Sequence, residues 1–190
     1  MQQRNSIRIE LPDWIDAVLA ARETCGLDET GRMRLVLDLA RANIRADLGG
    51  GPFAAAIFER HSGRLVAPGV NLVVASCCSI AHAEMVAIGL AQQRLGYFDL
   101  RQAVPGGCEL FTSAEPCAMC MGAIPWAGIG RVVIGARDSD ARAIGFDEGH
   151  KPVDWIAGYA RRGIEVTRDL LRAESAQILR EYAEAGGAIY

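Results

Sequence analysis

Thr112-Ser113-Ala114-Glu115-Pro116-Cys117-Ala118-Met119-Cys120 and, upstream of it, His82-Ala83-Glu84 are the stretches whose reading decides this chain. Each stands where a helix is expected to begin, and Pro116 suits a helix entry. Cys117 and Cys120 are three apart, so on a helix they share one face and can hold a single ion. In the first turn their thiolates face the positive end of the helix dipole, which favours the deprotonated form that metals need. His82, 35 positions before Cys117, would be a third ligand. That leaves a fourth tetrahedral position for water, as a catalytic zinc requires, with one Zn2+ per chain. Zinc brings the pKa of such a water to about 7. Glu84 is two positions from His82, roughly 200° around a helix. It is therefore read as a proton shuttle beside the metal rather than as a ligand.

Other readings of these residues stand beside this one. Cys-x-x-Cys alone also describes a redox pair or half of a structural zinc site. For a closed structural site, Cys77 and Cys78 are near enough in sequence to supply a fourth ligand. A pure zinc-stabilised binding module, however, has no use for Glu84. The combined pattern His-x-Glu … Pro-Cys-x-x-Cys is the signature of zinc-dependent base deaminases.

Bulk properties narrow the partners. The 190 residues suit one domain, 51% are hydrophobic, and the formal charge is −3 with no long Lys/Arg block. Proteins that grip a nucleic-acid backbone usually carry a basic excess, so a small free substrate is favoured over nucleic acid. No apolar stretch resembles a signal peptide or membrane helix, which makes the cytoplasm the expected location, with reduced thiols. Six cysteines in a chain of this size and hydrophobicity point to metal binding by a subset rather than to disulfide staples.

The pattern along the chain predicts two N-terminal helices, the first carrying Leu11, Trp14, Ile15, Val18 and Leu19, the second capped by Asp28. Gly49-Gly50-Gly51-Pro52 ends the second. A hairpin follows, with strands at Phe53–Phe58 and Gly69–Ala75 around the turn at Arg60–Arg64. Then come a helix at Ala81–Leu95, a strand at Cys108–Ser113, a helix from Cys117 to about Trp126, and a strand at Arg131–Ala136. A polar loop over Asp138–Lys151 precedes a helix near Pro152–Arg162, a strand at Ile164–Thr167 and a last helix at Leu170–Ala185. This series predicts an α/β three-layer α/β/α sandwich around a mixed five-stranded sheet. It forms a single domain over 1–190, with 1–48 as a helical extension and 53–190 as the core.

The chain resembles the cytidine/deoxycytidylate deaminase-like superfamily, on the branch with one His and two Cys ligands. The run Thr112–Ile124 with Trp126-Ala127, and Ile144-Gly145-Phe146-Asp147-Glu148, are most similar to bacterial guanine deaminases. The resemblance implies hydrolysis of guanine to xanthine and ammonia. An amino-triazine such as ammeline and a tRNA adenosine are the rival substrates. It further implies that Asn71 contacts the base, that Ala83 lends a backbone N–H, and that Phe53, Trp126 and Phe146 line the pocket. Glu148 would handle protons as a second catalytic acid where the familiar pattern has Asp. A homodimer is implied, with the tail ending at Tyr190 capping a site or exchanging between subunits. The plainer readings are a turn residue for Asn71, core packing for Phe53 and Trp126, a loop acid for Glu148, and a frayed end for the tail. The two N-terminal helices have no functional reading beyond packing.

Overall fold

The computed structural model describes residues 6–21, 26–46 and 50–190. Cys25 and Gly49 lie outside them. Helices α1 (Trp14–Ala20) and α2 (Glu29–Arg45) come first, and the Asp28 carboxylate accepts from the Gly31 N–H to cap α2, as its sequence predicts. The hairpin β1 (Ala54–Glu59) and β2 (Leu65–Val70) follows, then α3 (Val73–Ser76) and α4 (Ala83–Leu95). Next are β3 (Cys108–Ala114), α5 (Ala118–Trp126), β4 (Ile129–Ala136), α6 (Asp138–Ala143), α7 (Trp155–Ala160), β5 (Glu165–Thr167) and α8 (Arg172–Glu184).

The sheet order is β2-β1-β3-β4-β5. Strand β1 is antiparallel to both neighbours, and the β3–β4 and β4–β5 pairs are parallel. Four strands therefore run the same way, and their carboxyl ends share one edge. Alternation along the strands divides the core. Ala54, Ala56, Phe58, Phe111 and Val133 pack with Met33, Leu35, Val36 and Leu39 of α2 and Ile178 of α8. Ala55, Ile57, Leu110, Val132 and Ile134 pack with Ala83, Ala87 and Ala91 of α4, Met121 and Ile124 of α5 and Tyr159 of α7. The three-layer mixed-sheet sandwich is the expected fold. Helix α2 forms one of its outer layers.

Two elements differ from expectation. The second strand runs Leu65–Val70 rather than Gly69–Ala75. It contains Pro68, which is tolerated because β2 is an edge strand, where a missing N–H is accommodated. The strand ends because the Asn71 side chain accepts the Val73 N–H at 3.2 Å, turning the chain into α3. The polar Asp138–Lys151 stretch opens with α6, whose first turn is closed by Arg137 N–H donating to Asp140 at 2.8 Å.

At the opposite edge the sheet carries paired charges. Buried Glu109 at the start of β3 pairs with Arg32 of α2 and with Arg131 of β4 at 3.1 Å, and Arg131 also meets Glu29 at 2.7 Å. The Arg32 guanidinium lies over the rings of Phe58 and Phe111, 5.8 and 5.9 Å from their centroids. At the carboxyl edge, by contrast, α4 approaches β2 backbone to backbone. A Cβ on Gly69 would lie 2.2 Å from the Ala83 carbonyl oxygen and 2.6 Å from the Ala87 nitrogen. Gly69→Ala is therefore expected to cost roughly 1–3 kcal/mol by overpacking, measured by urea unfolding, and to weaken zinc retention as α4 is pushed outward.

Candidate metal and base-binding site

The first turns of two helices build the site. His82 is the N-cap of α4 and Cys117 the N-cap of α5, with Cys120 one turn further on. Because α4 follows β2 and α5 follows β3, and these strands run the same way, both helix starts lie at one edge of the sheet. The donor atoms of His82, Cys117 and Cys120 fall within 4.8 Å of one another. Cys117 Sγ is 3.5 Å from His82 Nδ1, close to the edge of a tetrahedron with Zn–S of about 2.3 Å and Zn–N of about 2.0 Å. One imidazole and two sulfurs, two of the three groups half-buried, suit zinc. Cys77 and Cys78 are not part of this cluster.

Local electrostatics favour a cation here. The hydrogen bond from the Cys120 thiol, working against burial and aided by His82, lowers the Cys117 pKa to about 4. That bond to Cys117 and burial push Cys120 up, and the bond with Cys117 pushes His82 up. Glu84 is buried in α4. Thr112 Oγ1 donates to its Oε1 at 3.1 Å, and the Cys120 thiol lies 3.5 Å from its Oε2. Burial, followed by the Cys117 charge, raises its pKa.

These groups face a cavity of about 170 Å³ whose walls include Phe53, Asn71, His82, Glu84, Cys117, Phe146, Glu148 and Tyr190. Phe146 meets Phe53 and Tyr190 edge-on, with ring centroids 4.8 and 5.5 Å apart. Buried Asn71 accepts at Oδ1 from the Tyr190 hydroxyl at 2.5 Å and from the Val73 N–H at 3.2 Å. A backbone N–H can only donate, so this atom is the amide oxygen and the Nδ2 donors are left for a ligand. Tyr190 thus lies against the cavity of its own chain.

Glu148 is held by its segment. Its carbonyl accepts the Ala118 N–H at 3.0 Å, and a Cβ on Gly149 would lie 2.9 Å from Ala118 Cβ. Buried Lys151 bonds Glu115 at 3.1 Å and the Pro116 carbonyl at 3.2 Å, and also contacts Asp138. Burial raises the Glu148 pKa to about 8, opposed by Lys151 and reinforced by Cys117 and Glu84.

One expected contact falls elsewhere. Trp126 is 82% exposed, because α5 carries its last residue away from the turn that bears the cysteines. It lines a separate surface groove with Pro125, Trp155 and Arg162. The Ala83 methyl is buried and its carbonyl rests against Gly69, and its N–H, the group expected to serve the base, is that of the first residue of α4. Conversely, Thr112, Glu115, Lys151 and Asn43 were not singled out as functional from sequence. Thr112 and Glu115 belong to the quoted motif, whereas nothing in the sequence marks Asn43 or Lys151.

A mixed sheet between helices, with one His and two Cys at helix starts beside a buried carboxylate, defines a metal-dependent hydrolytic centre. Residues 28–136 match the cytidine and deoxycytidylate deaminase zinc-binding region, and the chain belongs to this family. It is 39% identical over 124 residues to guanine deaminase of Bacillus subtilis (strain 168), covering 64% of this chain and 74% of the relative. A structure of guanine deaminase from Nitrosomonas europaea is 46% identical with TM-score 0.89, covering 97% of this chain and 100% of that one. A structure of NE0047 in complex with 2,6-diaminopurine is 48% identical with TM-score 0.87, covering 98% and 97% respectively.

The Glu148 shift gives a pH signature in the metal-free protein. Its pKa rises from 4.5 to about 8 on folding, so its contribution favours the fold at low pH and is lost as pH climbs through that window. Glu148→Gln lacks this loss. Its stability relative to the parent should therefore increase by up to about 1.4 kcal/mol per pH unit across the window, read from denaturant unfolding at several pH values.

Proposed function

We propose that this chain hydrolyses guanine to xanthine and ammonia. The observation that carries this reading is the small cavity in which Asn71, Glu84 and Glu148 join the His82–Cys117–Cys120 group, with Phe146 and Tyr190 among its walls. Its volume of about 170 Å³ suits a free base, and drug-sized ligand pockets are larger, at roughly 300–1,000 Å³. The guanine deaminase relatives, and the diaminopurine bound to one neighbour, support the choice of ring.

His82 Nδ1, Cys117 Sγ and Cys120 Sγ would hold one Zn2+, which when bound supplies a Lewis acid that lowers the pKa of water to about 7. Asn71 Nδ2 donates to an acceptor on the ring and fixes its orientation. Phe146 and Phe53 pack against the ring and exclude bulk water. Glu84 takes a proton from the water that adds to the ring carbon bearing the amine, and passes it to a ring nitrogen. The carbon–nitrogen bond then breaks as the proton left on the added hydroxyl passes to the amine, which departs as ammonia, and Glu148, in the cavity wall, assists at that step. Guanine and water become xanthine and ammonia with no other reactant.

The whole chain is read as one catalytic domain acting in purine catabolism in the cytoplasm. It is also read as a homodimer. No helix among the described residues is long and apolar enough to cross a membrane.

Ammonia release measured with guanine, ammeline, cytosine, adenosine and tRNA should be fastest with guanine. Turnover of tRNA with none of guanine overturns the reading. Glu84→Gln should keep its zinc by atomic absorption while kcat falls by about 10²–10⁴-fold. Loss of the metal instead would remove Glu84 from the shuttle role.

A further inference from the structure

Helix α2 carries one polar residue on its buried side that packing does not explain. Asn43 is 1% exposed, and its Nδ2 donates to two backbone carbonyls, those of Gly51 and Asn71, each at 2.9 Å. A carboxamide nitrogen has two N–H groups, and here both are used. The fit is close, because a Cβ on Gly50 would lie 2.3 Å from the Asn43 amide atoms. The Gly50 N–H also returns to the Asn43 carbonyl at 3.2 Å.

The two carbonyls that Asn43 grips belong to the backbone that carries the base-reading groups. Asn71 is held on its other side by its own N–H, which donates to Phe53 O at 3.0 Å. Gly51 lies directly against the Asn71 amide and the Tyr190 hydroxyl, and a Cβ there would be 3.0 Å from Asn71 Cγ and 2.6 Å from Tyr190 Oη. A shift of either carbonyl would move the surface on which the Asn71–Tyr190 hydrogen bond rests. A helix-to-sheet tie with no bearing on the site could have gripped any part of β1 or β2. This one grips the residue whose amide faces the cavity.

We propose that Asn43 is a positioning residue for base recognition, fixing the placement of the Asn71 amide through the paired Gly51 and Asn71 carbonyls. The inference rests on the reading of the cavity as the base site. It gives α2 a part in substrate selection as well as in the core.

A double-mutant cycle tests it. Asn43→Ala should lower kcat/KM for guanine by about 10- to 100-fold, with zinc content unchanged. In an Asn71→Ala background the same substitution should have little further effect, because the group it positions is gone. Asn43→Ser, which keeps one donor in that space, should fall between, and it replaces the alanine variant in the cycle if that variant does not fold. If Asn43 and Asn71 substitutions act independently on kcat/KM, Asn43 is a packing residue and the proposal is overturned. The cycle is read on the base that the parent enzyme turns over fastest. Failure of guanine as substrate and failure of Asn43 as a positioning residue therefore give different results.

Discussion

The contact on which the site depends is the one between the first turn of α4 and Gly69. With no side chain at that position, the Ala83 carbonyl and the Ala87 backbone lie directly on β2. His82 and Glu84 are thereby lowered to the level of Cys117 and Cys120, which enter from the start of α5. The strand directions do the rest, because β2 and β3 deliver their following helices to the same edge. Ligands in open α/β sheets bind at the carboxyl ends of strands for the same reason. Here two helix starts converge there, and their dipoles favour the thiolate ligands.

The cavity brings two carboxyl groups, Glu84 and Glu148, against Cys117, and Cys120 adjoins them in the ligand group. Lys151, the cation that acts on Glu148, already contacts Glu115 and Asp138. Such an assembly balances itself in one of two ways. It retains protons, as the raised carboxyl pKa values indicate, or it accepts a divalent ion. Metal uptake therefore displaces protons, and its affinity rises with pH.

The donor set was readable from the combined His-x-Glu and Pro-Cys-x-x-Cys motifs, because a helix turn is a local object and His82, Cys117 and Cys120 each sit in one. Layer order followed from the helix–strand series. The bounds of strand β2 differ because the apolar run Leu72–Ala75 continues a strand pattern in sequence, whereas in the fold the Asn71 side chain turns the chain into α3. Helix α6 was hidden in a run of acids and glycine that reads as a loop until Asp140 is seen closing its first turn. Trp126 followed from resemblance, although its place nine residues beyond Cys117, about 180° around a helix, already turns it from that ligand. Asn43 and Lys151 were invisible for a further reason. Their partners are backbone carbonyls or acids from distant segments, and only the folded chain brings them together.

Strand β3 links the two edges of the molecule. Near its start Glu109 meets Arg32 and Arg131, and three residues later Thr112 meets Glu84. A register slip of one residue turns every side chain of a strand to the other face. Such an error in β3 would break the Glu109 ion pairs at one edge and the Thr112–Glu84 hydrogen bond at the other in a single event. The register of one strand thus fixes side chains at both edges of the molecule.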